Sequence, residues 1–258
     1  MIFGKKNPAA NNAMGERDFA APVNELPAEY AKCADVDLAK EGNPDLTELV
    51  LIIDRSGSMG GLETDTIGGI NAVIAKNKKA GGECVVSTIL FDNRTEVLHD
   101  RVNLADVAPL TEEDYQVRGC TALLDAVGGA IVHTRRVQGY MPVGHKAGHV
   151  IFVITTDGFE NASRRYSYAQ VKKMITLQQE LGWEFMFLGA NIDAAAEAVN
   201  LGIAADRAVE YVGDSMGTQV MYDSVAAASC AMRSAPASAG RIDGSWRDNI
   251  FRDKAARG

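Results

Sequence analysis

One carboxylate and two hydroxyls stand at alternate positions, Asp54, Ser56 and Ser58, directly after the aliphatic run Leu49–Ile53 of this 258-residue chain. All three side chains are hard oxygen donors, with no thiolate or imidazole beside them, a set that suits Mg²⁺ or Mn²⁺ and serves zinc or copper poorly. The alternating spacing lets a tight loop turn successive side chains toward one point, and Gly57 and Gly60 permit the backbone angles such a loop needs. Ser, Gly and Asp are also the commonest turn residues after a strand, so the triplet alone leaves two readings open. Thr121, within Gly119-Cys120-Thr121-Ala122-Leu123, stands where a helix N-cap worth about 1 kcal/mol is expected, and its hydroxyl is equally a further metal ligand at a helix N-terminus. Asp157 closes a second apolar run. Two carboxylates at one edge of a parallel sheet repel unless a cation or a proton lies between them.

The elements that must position these groups follow from hydrophobic periodicity. Leu49–Ile53, bounded by polar and Gly signals, reads as a strand buried on both faces. Asp65–Lys79 carries Ile67, Ile70 and Ile74 on one helical face, and Gly81-Gly82 ends it. Glu83–Asp92 is a second core strand, joined by Asn93 and Arg94 to the alternating stretch Thr95–Asn103, a hairpin whose second member runs antiparallel at the sheet edge. Residues 104–118 are polar and irregular. A helix with Leu124, Val127 and Ile131 on one face follows Thr121, and Gly139–Gly148 is a loop. Strands over His149–Thr156, Glu184–Ala190 and Ala208–Val212 alternate with helices over Ser167–Leu181, Ile192–Leu201 and Ser215–Arg233, the last with a core stripe of Met221, Val225, Ala228 and Met232. The layout is a doubly wound, Rossmann-like α/β fold: a mostly parallel six-stranded sheet with one antiparallel edge strand and helices on both faces. Its switch point falls beside the first strand, so three segments deliver oxygen ligands to one crevice at the carboxyl edge of the sheet.

Three segments are expected: an N-terminal arm over residues 1–44, partly flexible; the domain over 45–233; and a tail over 234–258, largely disordered. In the arm, Asn7–Gly15 reads as flexible coil, Tyr30–Lys40 as a short helix, and Gly42-Asn43-Pro44 as a break before the first strand. In the tail, Trp246 and Phe251 either dock on the domain or bind a partner. A net charge of −8 without a basic stripe argues against nucleic acid. Cys33, Cys84, Cys120 and Cys230 lack metal-ligand spacing and read as reduced thiols. The N-terminus holds no apolar run long enough for a signal peptide, and no stretch is long enough to span a bilayer, so a cytoplasmic location and no membrane contact are expected.

Asp54-Arg55-Ser56-Gly57-Ser58-Met59, then Gly119-Cys120-Thr121-Ala122-Leu123, then Thr156-Asp157-Gly158 together resemble the von Willebrand factor type A (VWA) domain with its metal-ion-dependent adhesion site (MIDAS). The resemblance covers roughly residues 46–233 and is greatest to stand-alone intracellular bacterial or phage-type members, to which Thr156–Ser163 and Phe187–Asn191 also correspond. Cys120 departs from the Gly that relatives often carry there. The resemblance implies that Ser56, Ser58 and, in one conformation, Thr121 bind the ion directly. Asp54 and Asp157 would bind mostly through waters, Asp157 directly when Thr121 withdraws. Mg²⁺ in such a shell keeps most of its charge and exchangeable waters, which leaves a position for a Glu or Asp of another protein. Glu160, Asn161, Arg164 and Arg165 follow Asp157 and are either rim residues that help select the partner or a solvated polar loop. Intracellular members of the family often act beside AAA+ ATPases, kinases or phosphatases.

Two other classes compete with a non-catalytic binding module. A serine hydrolase needs Gly-x-Ser-x-Gly, but Ser56 stands two before Ser58, and none of His99, His133, His145 and His149 is placed as a general base. A phosphatase using Asp54 would want an acid at position 56, and no phosphate-binding glycine-lysine loop is present. A scaffold that binds through its tails would act without metal.

Overall fold

The aliphatic run that carries Asp54 lies at the middle of a six-stranded sheet. In the computed structural model, which describes residues 25–235 and 244–257, β1 (Gly42–Asp54) pairs in parallel with β2 (Glu83–Phe91) on one side and β4 (Lys146–Thr156) on the other. β5 (Glu184–Ala190) and β6 (Ala208–Tyr211) continue in parallel beyond β4, and β3 (Thr95–Asn103) runs antiparallel outside β2. The order β3-β2-β1-β4-β5-β6 is the mixed sheet expected from the sequence.

Period-two alternation sends successive residues of the central strands into two separate cores. Leu49, Leu51 and Ile53 meet Ile67, Ile70 and Ile74 of α3 (Glu63–Ala80) and the Met221–Met232 stripe of α7 (Ser215–Ser234). Val50 and Ile52 face the opposite way. They belong to a second core that also holds Leu124, Val127 and Ile131 of α4 (Leu123–Tyr140), Val171, Met174 and Ile175 of α5 (Tyr168–Glu180), and Ala194 and Ala198 of α6 (Ala194–Asn200). Both faces are therefore covered, which is why these strands lack polar alternation.

Several expectations need correction. Tyr30–Lys40 is not one helix but two four-residue turns, α1 (Ala28–Ala31) and α2 (Leu38–Glu41), because Val36 must reach the core between them and Asp37 caps the second turn through the Ala39 N–H. Gly42-Asn43-Pro44 does not end the chain's regular structure. Gly42 and Asn43 pair with Lys146 and Ala147 across a register shift before Thr47, so β4 starts at Lys146, inside the expected loop. Backbone pairing needs no side chain, and composition alone underrates it there. With Tyr30, Val36 and Leu38 buried, residues 25–41 form a packed cover; Asn7–Gly15 lies outside the described residues.

The tail differs most from expectation. After a short 3-10 turn, α8 (Asp248–Arg257) is helical rather than disordered. Trp246 donates its indole N–H to the Asp206 carbonyl at 3.1 Å, Arg247 donates to the carbonyls of Ala205 and Ala208, and Lys254 pairs with Glu210 at 2.7 Å. Trp246 and Ile250, four residues apart and both buried, supply the apolar anchor. Phe251, named beside Trp246 from the sequence, is 47% exposed and lies against the Arg247 guanidinium instead. Helix and turn thus close over β6 at one margin of the sheet. At the other margin β3 is bulged, and Arg101 takes a left-handed φ of 52°. Its guanidinium pairs with Glu48, a fully buried β1 residue that also accepts from Gln138.

Candidate metal centre

Asp54 ends β1 with no exposed surface. Its Oδ1 accepts from the Ser56 N–H at 2.6 Å, its Oδ2 accepts from the Thr156 hydroxyl at 2.7 Å, and its carbonyl accepts from the Tyr115 hydroxyl at 2.6 Å. Burial pushes its carboxyl up from the ordinary aspartate range, and the Thr156 and Ser56 hydrogen bonds offset this in part. Beyond the strand, a 3-10 turn over Gly57–Met59 folds the loop back, so that the Ser56 and Ser58 hydroxyls lie 3.0 Å apart.

Thr121 reaches the same point from another direction. Its hydroxyl donates to Ser56 Oγ at 3.0 Å and makes no capping bond to α4, whose preceding residue is Ala122. The capping alternative is therefore not what the side chain does. Asp157 follows β4, 4% exposed, and its Oδ1 is buried without a hydrogen-bond partner among the described residues. Burial raises the Asp157 carboxyl, the nearby Ser58 hydroxyl offsets part of the rise, and the Asp54 charge adds to it. Gly158 lies directly against the cluster: a Cβ there would meet Ser58 Oγ at 3.2 Å and Thr121 Oγ1 at 3.4 Å. Asp54, Ser56, Ser58, Thr121 and Asp157 are thus brought together from three loops. Two buried carboxylates held near each other, one with an orphaned oxygen and three hydroxyls beside them, fit a hard divalent cation such as Mg²⁺ or Mn²⁺. Among the described residues, no group of three or more His, Cys, Asp or Glu side chains offers an alternative metal site.

The loops are held by side chains that the sequence reading did not single out. Asp92, buried just past β2, accepts from Arg55 Nε at 3.0 Å and Arg118 Nε at 2.9 Å, and Glu96 pairs with Arg55 at 2.7 Å. Backbone bonds from Gly57 N to the Gly119 carbonyl and from Arg118 N to the Arg55 carbonyl lock the serine loop to the threonine loop, and Ala122 N to the Asp92 carbonyl ties the latter to the end of β2. Gly119 makes this crossing with φ +71°, and a Cβ there would sit 2.4 Å from Asn93 Oδ1. The signal was present in the sequence: the strand over Glu83–Asp92 is a third apolar run ending in aspartate, and Arg55 lies between two candidate ligands. Asp125 acts in the same way: its carboxylate accepts the N–H groups of Arg164, Arg165 and Tyr166.

The expected rim residues take different roles. Glu160 uses both oxygens internally, accepting from the N–H groups of Leu124, Ala162 and Ser163 and from the Ser163 hydroxyl. Asn161 Oδ1 accepts the Thr121 N–H at 2.9 Å. Asn161 thus holds Thr121, and Glu160 holds the first turn of the helix that follows it. Arg164 is exposed, and Phe159, two residues after Asp157, is 59% exposed. A crevice leaves the cluster toward the N-termini of α3 and α7, bordered by Ser58 and Asp157 at one end and by Asp65, Asp214 and Ser215 at the other.

No family model and no curated protein matches the sequence. Solved structures do. A structure of proximal thread matrix protein 1 from the mussel byssus, with a zinc-occupied MIDAS motif, superposes with a TM-score of 0.52 at 15% identity, over 74% of this chain and 47% of that one. The vWF domain of the type V pili tip protein Mfa5 from Porphyromonas gingivalis superposes with a TM-score of 0.52 at 12% identity, over 70% of this chain and 94% of that one. This chain spans about half the length of the mussel protein and nearly all of the pilus domain.

Proposed function

Because the chain has the fold of von Willebrand factor type A domains, we propose that it is a non-catalytic protein-binding module. In this reading Asp54, Ser56, Ser58, Thr121 and Asp157 ligate a divalent cation, Mg²⁺ or Mn²⁺, and an acidic side chain of another protein is captured through it. The observation that carries the reading is Asp157 Oδ1, a buried acceptor with no donor among the described residues, beside a second buried carboxylate. Leaving such a group unsatisfied is costly, and a cation removes both the vacancy and the repulsion. A bound ion supplies positive charge and a coordination position open to an external carboxylate. The chain's own residues do the rest. Thr156 and the Ser56 N–H fix the Asp54 carboxylate, Asn161 holds Thr121 and Glu160 the helix turn after it, and Gly158 keeps the approach clear.

The engagement of the cluster hydroxyls with one another supports the non-catalytic reading. The Ser56, Ser58 and Thr121 hydroxyls bond to one another, while His99 contacts Thr88, His133 pairs with Asp100, and His149 lies at the start of β4, in register with Thr47. A cytoplasmic setting is supported by four free cysteines, and no helix among the described residues is long and apolar enough to cross a membrane. An AAA+ ATPase or a kinase–phosphatase system offering an exposed carboxylate is the partner class that the resemblance suggests. The test is capture from host lysate on immobilised protein in Mg²⁺, with elution by EDTA and parallel columns of Asp54→Ala and Ser58→Ala. Proteins released by EDTA from the parent and absent from both variants bear the reading out. Capture indifferent to EDTA and to both substitutions defeats it.

A further inference from the structure

Resting on that reading of the site, we infer that the captured carboxylate belongs to a segment that also carries a basic side chain, which pairs with Asp65 in the crevice running from the metal cluster to α7. Asp65 lies in the first turn of α3, half-buried, and its Oδ1 accepts the Ser215 hydroxyl at 2.7 Å. It has no cationic partner among the described residues. The other carboxylate of that wall is already matched: Arg257 of α8 binds both oxygens of Asp214 at 2.7 and 2.6 Å. The crevice therefore joins the orphaned acceptor Asp157 to one uncompensated charge, Asp65, within a single continuous surface.

A segment seated on the ion must cover this crevice and strip water from Asp65. An unpaired carboxylate so covered is strongly unfavourable, and a second acid from the partner worsens it; a Lys or Arg turns the same contact favourable. The whole-chain charge adds an independent constraint. A net charge of −8 opposes a polyacidic partner, whereas the ion demands a carboxylate. Both demands are met by a single acid set among basic residues. Asp65 then works by rejecting acid-rich competitors as much as by attracting the right partner.

The test is selection of a displayed random 12-residue peptide library on the full chain in Mg²⁺, with an EDTA arm and with Asp65→Asn and Asp65→Lys proteins in parallel. Asn keeps the acceptor for Ser215, and a melting curve for each variant checks the fold. The expected result is EDTA-sensitive enrichment of peptides with an Asp or Glu and, within a few positions, a Lys or Arg. With Asp65→Asn the basic preference falls several-fold while the acidic requirement persists, and with Asp65→Lys a second acid replaces the base. Acidic peptides enriched without a basic neighbour, or a basic preference unchanged in both variants, overturn the inference and leave the metal-capture reading standing. Failure to enrich acidic peptides in Mg²⁺ over EDTA overturns both.

Discussion

Replacing Asp157 with Asn produces opposite effects with and without metal. In the metal-free chain the Asp157 carboxylate is buried, one oxygen lacks a partner, and Asp54 repels its charge. Its folded pKa is raised, so the folded state holds a proton more tightly than the unfolded chain, and stability falls as pH rises from the unfolded value through the folded one. The penalty grows across that window and is fully present above the folded value. Asn has the same shape and no charge, so in EDTA at pH 7 Asp157→Asn melts above the parent. With metal the order reverses. Ion at ten times its dissociation constant adds about 1.4 kcal/mol to the parent, which for a chain of this size is a rise of about 3–6 °C; the variant, lacking a ligand, gains little. Four melting curves, parent and variant in EDTA and in Mn²⁺, read the result, and a repeat below pH 4 should shrink both differences as the carboxyls protonate. A variant that melts below the parent in EDTA refutes the repulsion argument, and an equal Mn²⁺ shift in both proteins refutes the assignment of Asp157 as a ligand.

Thr121→Ala should weaken Mn²⁺ by about ten- to a hundredfold, measured by paramagnetic titration. The metal-free fold should lose only about 1 kcal/mol, the worth of the bond to Ser56. Phe159→Ala, at an exposed site, should change stability by less than about 0.5 kcal/mol yet cost about 2 kcal/mol of partner affinity, with Mn²⁺ binding unaltered; interferometry on the captured partner decides. Arg101→Ala leaves Glu48 buried without its cation and should cost about 3–5 kcal/mol at neutral pH. Burial already raises the Glu48 carboxyl against the pull of Arg101. Removing Arg101 raises it further, so the deficit in urea melts should grow as pH rises above the ordinary glutamate range and shrink below it.

The parallel strands and amphipathic helices were legible because each carries a long periodic pattern, and the loops of the candidate site because Asp, Ser and Thr sit at the ends of those patterns. What stayed hidden has a common physical character. Arg55 and Asp92 form a buried ion pair that the exposed Arg118 joins, the three lying in separate loops, and no local pattern announces a pairing across such distances. Thr121 looked equally like a cap or a ligand, since both uses favour a hydroxyl before a helix; only the direction of its Oγ1 separates them. Glu160 and Asn161 were placed at the rim by their polarity, yet their acceptors satisfy backbone donors of the neighbouring loop and helix. In the tail, an Ala/Ser/Gly-rich composition outweighed two anchors, Trp246 and Ile250, whose partners lie elsewhere in the chain.

The two margins of the sheet have a consequence for how the molecule meets its own kind. On one side the terminal strand is only four residues long, with carbonyls beside it engaged by Trp246 and Arg247; on the other, kinks and a left-handed Arg101 spoil the flat ladder that an incoming strand would need. Neither side is a template for fibre growth. The protein can therefore be concentrated without strand-to-strand stacking, because neither margin of the sheet offers a free, flat ladder to a second copy.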